Sequence, residues 1–246
     1  MKISENTVLV TGGSAGIGYS IAEQLSATNN HVIIVGRNQE RLLKAASELA
    51  NVTAINVDIS NAEDVNRLVA TLSAEFPRLN VVINNAAAAQ MNNLLTDADI
   101  FEKASGEILT NYLSIIRLNE KLLQLLYKQA EAAIVNVSSV LAFAPNSALA
   151  GYSASKAALH SYTQSLRIFL ASTNVKVFEV MPPLVDTEFS ARIGGQNGLK
   201  PSVVAQELVK GLATDNFEMR IGNTEKIYQL YRSSPQEALN LMNSLV

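Results

Sequence analysis

The stretch Thr7-Val8-Leu9-Val10-Thr11-Gly12-Gly13-Ser14-Ala15-Gly16-Ile17-Gly18 decides how the chain is read. It opens with a short apolar run rich in β-branched side chains, too short for a helix and suited to a buried strand. The glycines that follow allow a tight turn and let the backbone approach a ligand closely, because no Cβ stands in the way. A helix begins within or just after the turn, and its N-terminus offers unpaired N–H groups and the positive end of a dipole. Strand, glycine turn and helix N-terminus in that order make a cradle for a pyrophosphate. The stretch therefore predicts the first unit of a dinucleotide-binding sheet.

Outward from this unit, apolar runs of strand length recur at 31–35, 52–57, 81–83, 133–137 and 175–180. Segments with apolar spacing of three to four residues fill 17–27, 39–50, 62–76, 101–126 and 153–170. The strands are continuously apolar rather than alternating, which indicates burial on both faces. The expected fold is α/β: a Rossmann-like, doubly wound, mostly parallel sheet of about seven strands with helices on both faces. Residues 201–213 read as a further helix and 218–221 as the last strand. Ser234-Pro235-Gln236-Glu237 reads as the N-cap, first-turn proline and capping-box glutamate of a terminal helix. Residues 188–200 are polar and carry Gly194, Gly195 and Gly198, the composition of a mobile loop that would serve as a substrate lid. No linker or repeat divides the 246 residues, and 1–246 is expected to form a single domain.

A formal net charge of -3 gives no long-range attraction for nucleic acid, so small molecules are the expected partners. With no cysteine, disulfides, thiolate metal sites and a cysteine nucleophile are excluded. His31 and His160 have no acid at metal-ligand spacing, and no metal is expected. The N-terminus lacks a signal-peptide pattern and no apolar run reaches about 18 residues, so the expectation is a cytoplasmic protein without a membrane span.

The turn is spaced T-G-x-x-x-G-x-G through Thr11, Gly12, Gly16 and Gly18. Asp58 follows the third strand, Asn84-Asn85-Ala86 the fourth and Ser139 the fifth, with Asn111, Tyr152 and Lys156 on helical segments. In this order the chain, from Thr7 to about Thr187, resembles the short-chain dehydrogenase/reductase family. The resemblance implies a nicotinamide cofactor along Thr11, Gly12, Ser14, Gly16, Ile17 and Gly18, with Asn85 and Ala86 beside it. It places Asp58 near the adenine, and the Val185 backbone and Thr187 hydroxyl at the carboxamide. It also implies homodimers or homotetramers joined through the helices holding Asn111 and Tyr152, to which the apolar 239–246 could add contacts. The second strand ends Val35-Gly36-Arg37-Asn38, without the acid that would accept a ribose 2′-OH. Arg37, with Asn38 beside it, offers a charged fork suited to a 2′-phosphate, which predicts NADP(H) over NAD(H).

Tyr152 and Lys156 are four residues apart in a helical segment and should project from one face. Free tyrosine titrates near about 10, and an adjacent ammonium favours the phenolate. The pair therefore suits proton transfer to a carbonyl or from an alcohol while the cofactor carries the hydride, and both side chains are expected to touch that cofactor. Ser138 and Ser139 both follow the fifth strand and local chemistry does not separate them. The resemblance selects Ser139, thirteen positions before Tyr152, to hold the substrate oxygen. It also implies that Asn111 binds a water linking Lys156 to solvent. Leu141, Phe143 and Phe189 suggest a partly apolar substrate pocket.

Two departures from the family pattern stand out. Ala87 occupies a position where glycine is usual, and would be strained if that backbone needs a positive φ. In Met181-Pro182-Pro183-Leu184-Val185-Asp186-Thr187 a proline replaces the usual glycine. That segment and the opening resemble oxidoreductases encoded with bacterial lipoteichoic-acid D-alanylation genes. Together these readings imply an NADP(H)-dependent enzyme interconverting a small carbonyl compound and its alcohol. The alternative is a non-catalytic NADP(H)-binding sensor, which Ala87 favours and the Ser139, Tyr152 and Lys156 set opposes. An epimerase or dehydratase would use the same cofactor turn, but such relatives are usually longer.

Overall fold

A computed structural model describes residues 1–244. Seven strands, β1 (Thr7–Thr11), β2 (His31–Gly36), β3 (Val52–Asn56), β4 (Leu79–Asn84), β5 (Ala132–Val137), β6 (Val175–Met181) and β7 (Glu218–Arg220), form one sheet in the order β3-β2-β1-β4-β5-β6-β7. Every neighbouring pair is parallel. The helices are α1 (Gly16–Ser26), α2 (Gln39–Glu48), α3 (Ala62–Glu75), α4 (Ile100–Ile108), α5 (Ser114–Leu126), α6 (Ala150–Phe169), α7 (Pro201–Ala213), α8 (Thr224–Ser233) and α9 (Pro235–Asn243).

The strands are continuously apolar because successive side chains enter two different cores. In β1, Val8 and Val10 pack with Ile21 and Leu25 of α1, Leu42 of α2 and Leu208 of α7. Leu9, between them, packs on the other face with Val65 of α3, Leu118 and Leu122 of α5 and Leu166 of α6. Each such side chain, fully buried, is worth roughly 1.5–3 kcal/mol of transfer free energy. The chain winds outward from β1 to β3 on one side and from β4 to β7 on the other. Beyond the C-terminal ends of β1 and β4 this reversal leaves a crevice, the usual ligand position in such sheets.

Two expectations are corrected, and the segment 188–200 gains detail. The single helix over 101–126 is α4 and α5 joined by a π-helical turn, Leu109–Leu113, in which Ser114 Oγ donates to the Leu109 carbonyl at 2.7 Å. Apolar periodicity does not register one extra residue in a turn, whereas Asn111 is buried in this one and bonded outside its own helix. Residues 188–200, read from composition as a mobile loop, contain ordered turns. Glu188–Ile193 and Gly195–Asn197 form 3-10 turns, and Leu199 N donates to the Leu184 carbonyl at 2.9 Å while Asp186 N donates to the Leu199 carbonyl at 2.8 Å. Pro235 opens the terminal helix as expected, but Ser234 makes no side-chain cap. Ser234 also ends α8, its N–H donating to the Leu230 carbonyl at 2.7 Å, and it serves two helices at once. Leu245 and Val246, in the segment expected to add subunit contacts, lie outside the described residues. Among the described residues no helix is long and apolar enough to cross a membrane.

Candidate active site

Gly12 turns the chain after β1 at φ +67°, and its N–H donates to the Val35 carbonyl at 2.8 Å. Gly18 must lack a side chain, since a Cβ there would lie 2.2 Å from the Gly12 carbonyl oxygen. Beneath the turn, buried Thr11 Oγ1 accepts from the N–H groups of Asn85 (2.9 Å) and Ala86 (3.0 Å). Asn85 Nδ2 in return donates to the Thr11 carbonyl at 2.9 Å. These bonds tie the ends of β1 and β4 together, so Thr11 lies behind the crevice while Asn85 and Ala86 line it. Ala15, the N-cap of α1, provides no side-chain bond, and the first N–H groups of that helix keep their capacity for an anion. The crevice is a groove of about 470 Å³ that runs from Gly12, Ser14, Gly16 and Ile17 past Arg37, Asn38 and Asp58 to Tyr152 and Lys156.

At the β2 end of the groove Arg37 is exposed. Asn38 Oδ1 accepts from the Arg41 N–H at 2.9 Å and caps α2. Asp58 Oδ1 accepts from Ser60 N (2.9 Å) and Ser60 Oγ (2.6 Å), which fixes the carboxylate at the rim. Arg41, which the sequence reading did not single out, pairs with both oxygens of Glu188 across the groove at 2.9 and 3.1 Å. Its signal was a second arginine one helical turn after Arg37. Ala87 also lines the groove, and it is not among the non-glycine residues with positive φ, which are Glu5, Asn29, Asn51 and Asp215. The strain that alanine would suffer there does not arise.

Tyr152 and Lys156 stand in the first two turns of α6, with Lys156 Nζ 5.5 Å from the phenol ring centroid. Lys156 is 2% exposed and donates to the Val137 carbonyl at 2.7 Å. Burial draws its ammonium down to about 7, opposed by the Glu179 carboxylate. Burial pushes the Tyr152 phenol up to about 12; the Ser139 hydroxyl pulls against that rise and the Glu107 carboxylate adds to it. The two adjacent serines are separated by their partners. Ser138 Oγ donates to buried Glu179 at 2.5 Å, whereas Ser139 Oγ accepts from Leu141 N at 3.2 Å and faces the phenol.

Asn111 makes three side-chain hydrogen bonds to protein groups. Oδ1 accepts from Ala88 N at 2.7 Å, and Nδ2 donates to the Ala88 carbonyl at 2.8 Å and to Ser155 Oγ at 2.9 Å. These bonds use both amide hydrogens and one acceptor site of the amide oxygen. Thr187 lines the groove, while Val185 is buried behind it with its carbonyl bonded by Ser190 Oγ. Phe189 places its ring centroid 6.1 Å from that of Tyr152. Leu141, expected to line the substrate pocket, is buried in the apolar cluster against which Tyr152 packs, and Phe143, also expected there, is buried. Phe143 packs on His160 (5.0 Å between centroids) and on Tyr228 of α8 (4.8 Å), and α8 was not read from the sequence. The residue most plainly missed is Glu179, an acid inside a strand otherwise read as a buried apolar run.

Comparison with known proteins agrees with this geometry. The family model of short chain dehydrogenases matches residues 6–198. The chain is similar to the uncharacterized oxidoreductase DltE of Bacillus subtilis, 38% identical over 249 residues and 99% of each chain, in line with the resemblance drawn from the Pro182–Glu188 wording. It is 31% identical to an uncharacterized oxidoreductase of Staphylococcus epidermidis over 86% of this chain and 92% of the other. A short chain dehydrogenase from Burkholderia cenocepacia in complex with NADP superposes with a TM-score of 0.88 at 27% identity, covering 98% and 99% of the two chains. A relative from Burkholderia phymatum in complex with NAD has the same fold, with a TM-score of 0.87 at 20% identity, covering 99% and 97%. The glycine turn, the Tyr152 and Lys156 pair and these matches lead to one conclusion: the chain belongs to the short-chain dehydrogenase family and is an oxidoreductase of that family.

Proposed function

We propose that the protein is an NADP(H)-dependent oxidoreductase that interconverts a small carbonyl compound and its alcohol, with Tyr152 as the general acid and base. The observation that carries this is a single groove joining the glycine turn to Tyr152 and Lys156. The residues fit a dinucleotide: the open N-terminus of α1 offers N–H groups for a pyrophosphate, and side-chain-free Gly18 lets the turn at Gly12 pack closely on that helix. When bound, the nicotinamide supplies or accepts the hydride. In reduction Tyr152 donates its proton to the carbonyl oxygen, and Ser139 holds that oxygen by a second hydrogen bond. Lys156 stabilises the phenolate left behind. Asn111 fastens the α4 to α5 bend against Ser155 and keeps the floor of the site in place.

One solved neighbour was determined with NADP and another with NAD, so the choice of cofactor rests on Arg37 at the groove rim, with Arg41 one turn further along α2. The unstrained backbone of Ala87 removes the feature that favoured a non-catalytic sensor. Exposed Phe101 and Leu113 along α4 and the π turn, and Ile168 and Phe169 at the end of α6, support dimers or tetramers joined through these helices.

The test is to titrate the purified protein with NADPH and NADH, then to follow NADPH absorbance against a panel of aldehydes, ketones and quinones. Tighter binding of NADPH and its oxidation by one member of the panel are expected. Binding without turnover across the panel would favour the sensor, and binding of neither cofactor would overturn the reading. A monomer in light scattering would remove the subunit contact.

A further inference from the structure

Glu179 occupies a core position. It shares the sheet face of Val175 and Val177, which pack with α5 and α6, and it is fully buried. In the β5 to β6 register it lies opposite Asn136, and Ser138, immediately after β5, donates to it. From α6, His160 Nδ1 lies 2.9 and 3.0 Å from its two oxygens. Lys156 is one turn before His160 on the same helix, and it is anchored to Val137, the residue before Ser138. The neighbours of the lysine along the helix and along the strand therefore both converge on Glu179. A carboxylate in such a place is unfavourable unless paired, and the proposed reaction gives its hydrogen-bond partners, Ser138 and His160, no step.

We infer that Glu179 is a positioning residue for Lys156, its buried negative charge holding the lysine as an ammonium, and that His160 is the titratable group that sets how much of that charge the lysine receives. This rests on the proposed roles of Tyr152 and Lys156. Burial draws the Lys156 ammonium down and Glu179 is the charge that opposes the fall. The hydrogen bond to Glu179 raises His160 above the usual imidazole range. The charged and titratable groups facing the cluster are Lys156, His160 and Arg167 from α6, Glu179 from β6 and Glu218 from β7, while Glu107 of α4 acts on Tyr152. Arg167 is held by Glu218 (3.1 Å) and the Val177 carbonyl (2.9 Å), which leaves His160 as the cation that shares Glu179. As an imidazolium, His160 neutralises Glu179 and weakens its hold on Lys156. Once His160 loses its proton, the full carboxylate supports the ammonium.

The test is an NMR titration of the whole chain carrying lysine labelled at Cε, with the Lys156 signal identified by its loss in Lys156→Arg. In Glu179→Gln, which keeps the size and the bond to Ser138, the Lys156 midpoint should fall by about one unit or more. In His160→Gln it should rise. Opposite shifts are the signature of shared charge, because damage to packing would hydrate the buried lysine and raise its midpoint in both variants. An unchanged midpoint in Glu179→Gln, or movement of both variants in one direction, overturns the inference. If Glu179→Gln does not fold, His160→Gln is read against the packing control Leu159→Ala on the same helix: a larger rise than in the control supports the inference, and an equal rise, no change or a fall refutes it. The readout needs no turnover, so a Tyr152→Phe variant that remained active would refute the proposed reaction separately.

Discussion

The two ends of the groove are built by different means. At the glycine end the groove surface is backbone: left-handed Gly12 and Gly16 and the uncapped start of α1, packed closely because Gly18 has no side chain. At the tyrosine end it is a set of buried side chains from α4, α6, β5 and β6 that shift one another's protonation. Backbone sites tolerate little change of shape but are indifferent to pH, whereas buried ionisable sites respond strongly to both charge and pH.

The sharpest break of this contrast is Tyr152→Phe, which should lower turnover by about 10²–10⁴-fold with little change in NADPH affinity, measured by steady-state rates beside a fluorescence titration. Gly18→Val should act in the opposite way, destabilising the turn by roughly 2–3 kcal/mol and removing cofactor binding, as read by urea denaturation and titration. A smaller effect is expected at the exposed rim: Arg37→Ala should weaken NADPH binding about tenfold or more and leave NADH unchanged, since charge-assisted bonds are worth about 1.5–3 kcal/mol.

The pH response of the catalytic end has a defined sign. Lys156 titrates near 7 when folded and has an ordinary value of 10.5, so between these values the unfolded chain binds the proton more tightly. The stability contributed by this group should therefore rise as pH increases from about 7 towards 10 and be lost as pH falls back, at about 1.4 kcal/mol per unit at most. Tyr152 reverses the trend only above its ordinary value of 10.0, where the unfolded phenol ionises first. Lys156→Met should flatten the lower part of this profile in denaturation series without cofactor. The smallest change belongs to the exposed Arg41 and Glu188 pair, where Glu188→Gln should alter stability by less than about 1 kcal/mol.

Much of this was legible in the chain itself. Strand and helix periodicity gave the doubly wound sheet, because burial on two faces leaves a continuous apolar signal. The glycine spacing marked the turn, because only glycine fits positions where the backbone itself is the obstacle. Periodicity did not reveal the π turn around Asn111, the ordered turns within 188–200 or the role of Ser234 between two helices, because each depends on partners distant in sequence or shared between elements.

What the sequence determined by itself was the sheet, the cofactor turn and the spacing of Tyr152 and Lys156 on one helix face. What only the tertiary structure decided was which hydroxyl is taken up by a buried carboxylate and what charge the lysine sees. Ser138 and Ser139 are equivalent as residues, and the difference arises when β6 brings Glu179 against one of them. Local rules fix backbone shape from neighbouring residues, but the energy of a buried charge depends on every group packed around it, and those groups meet only in the folded chain.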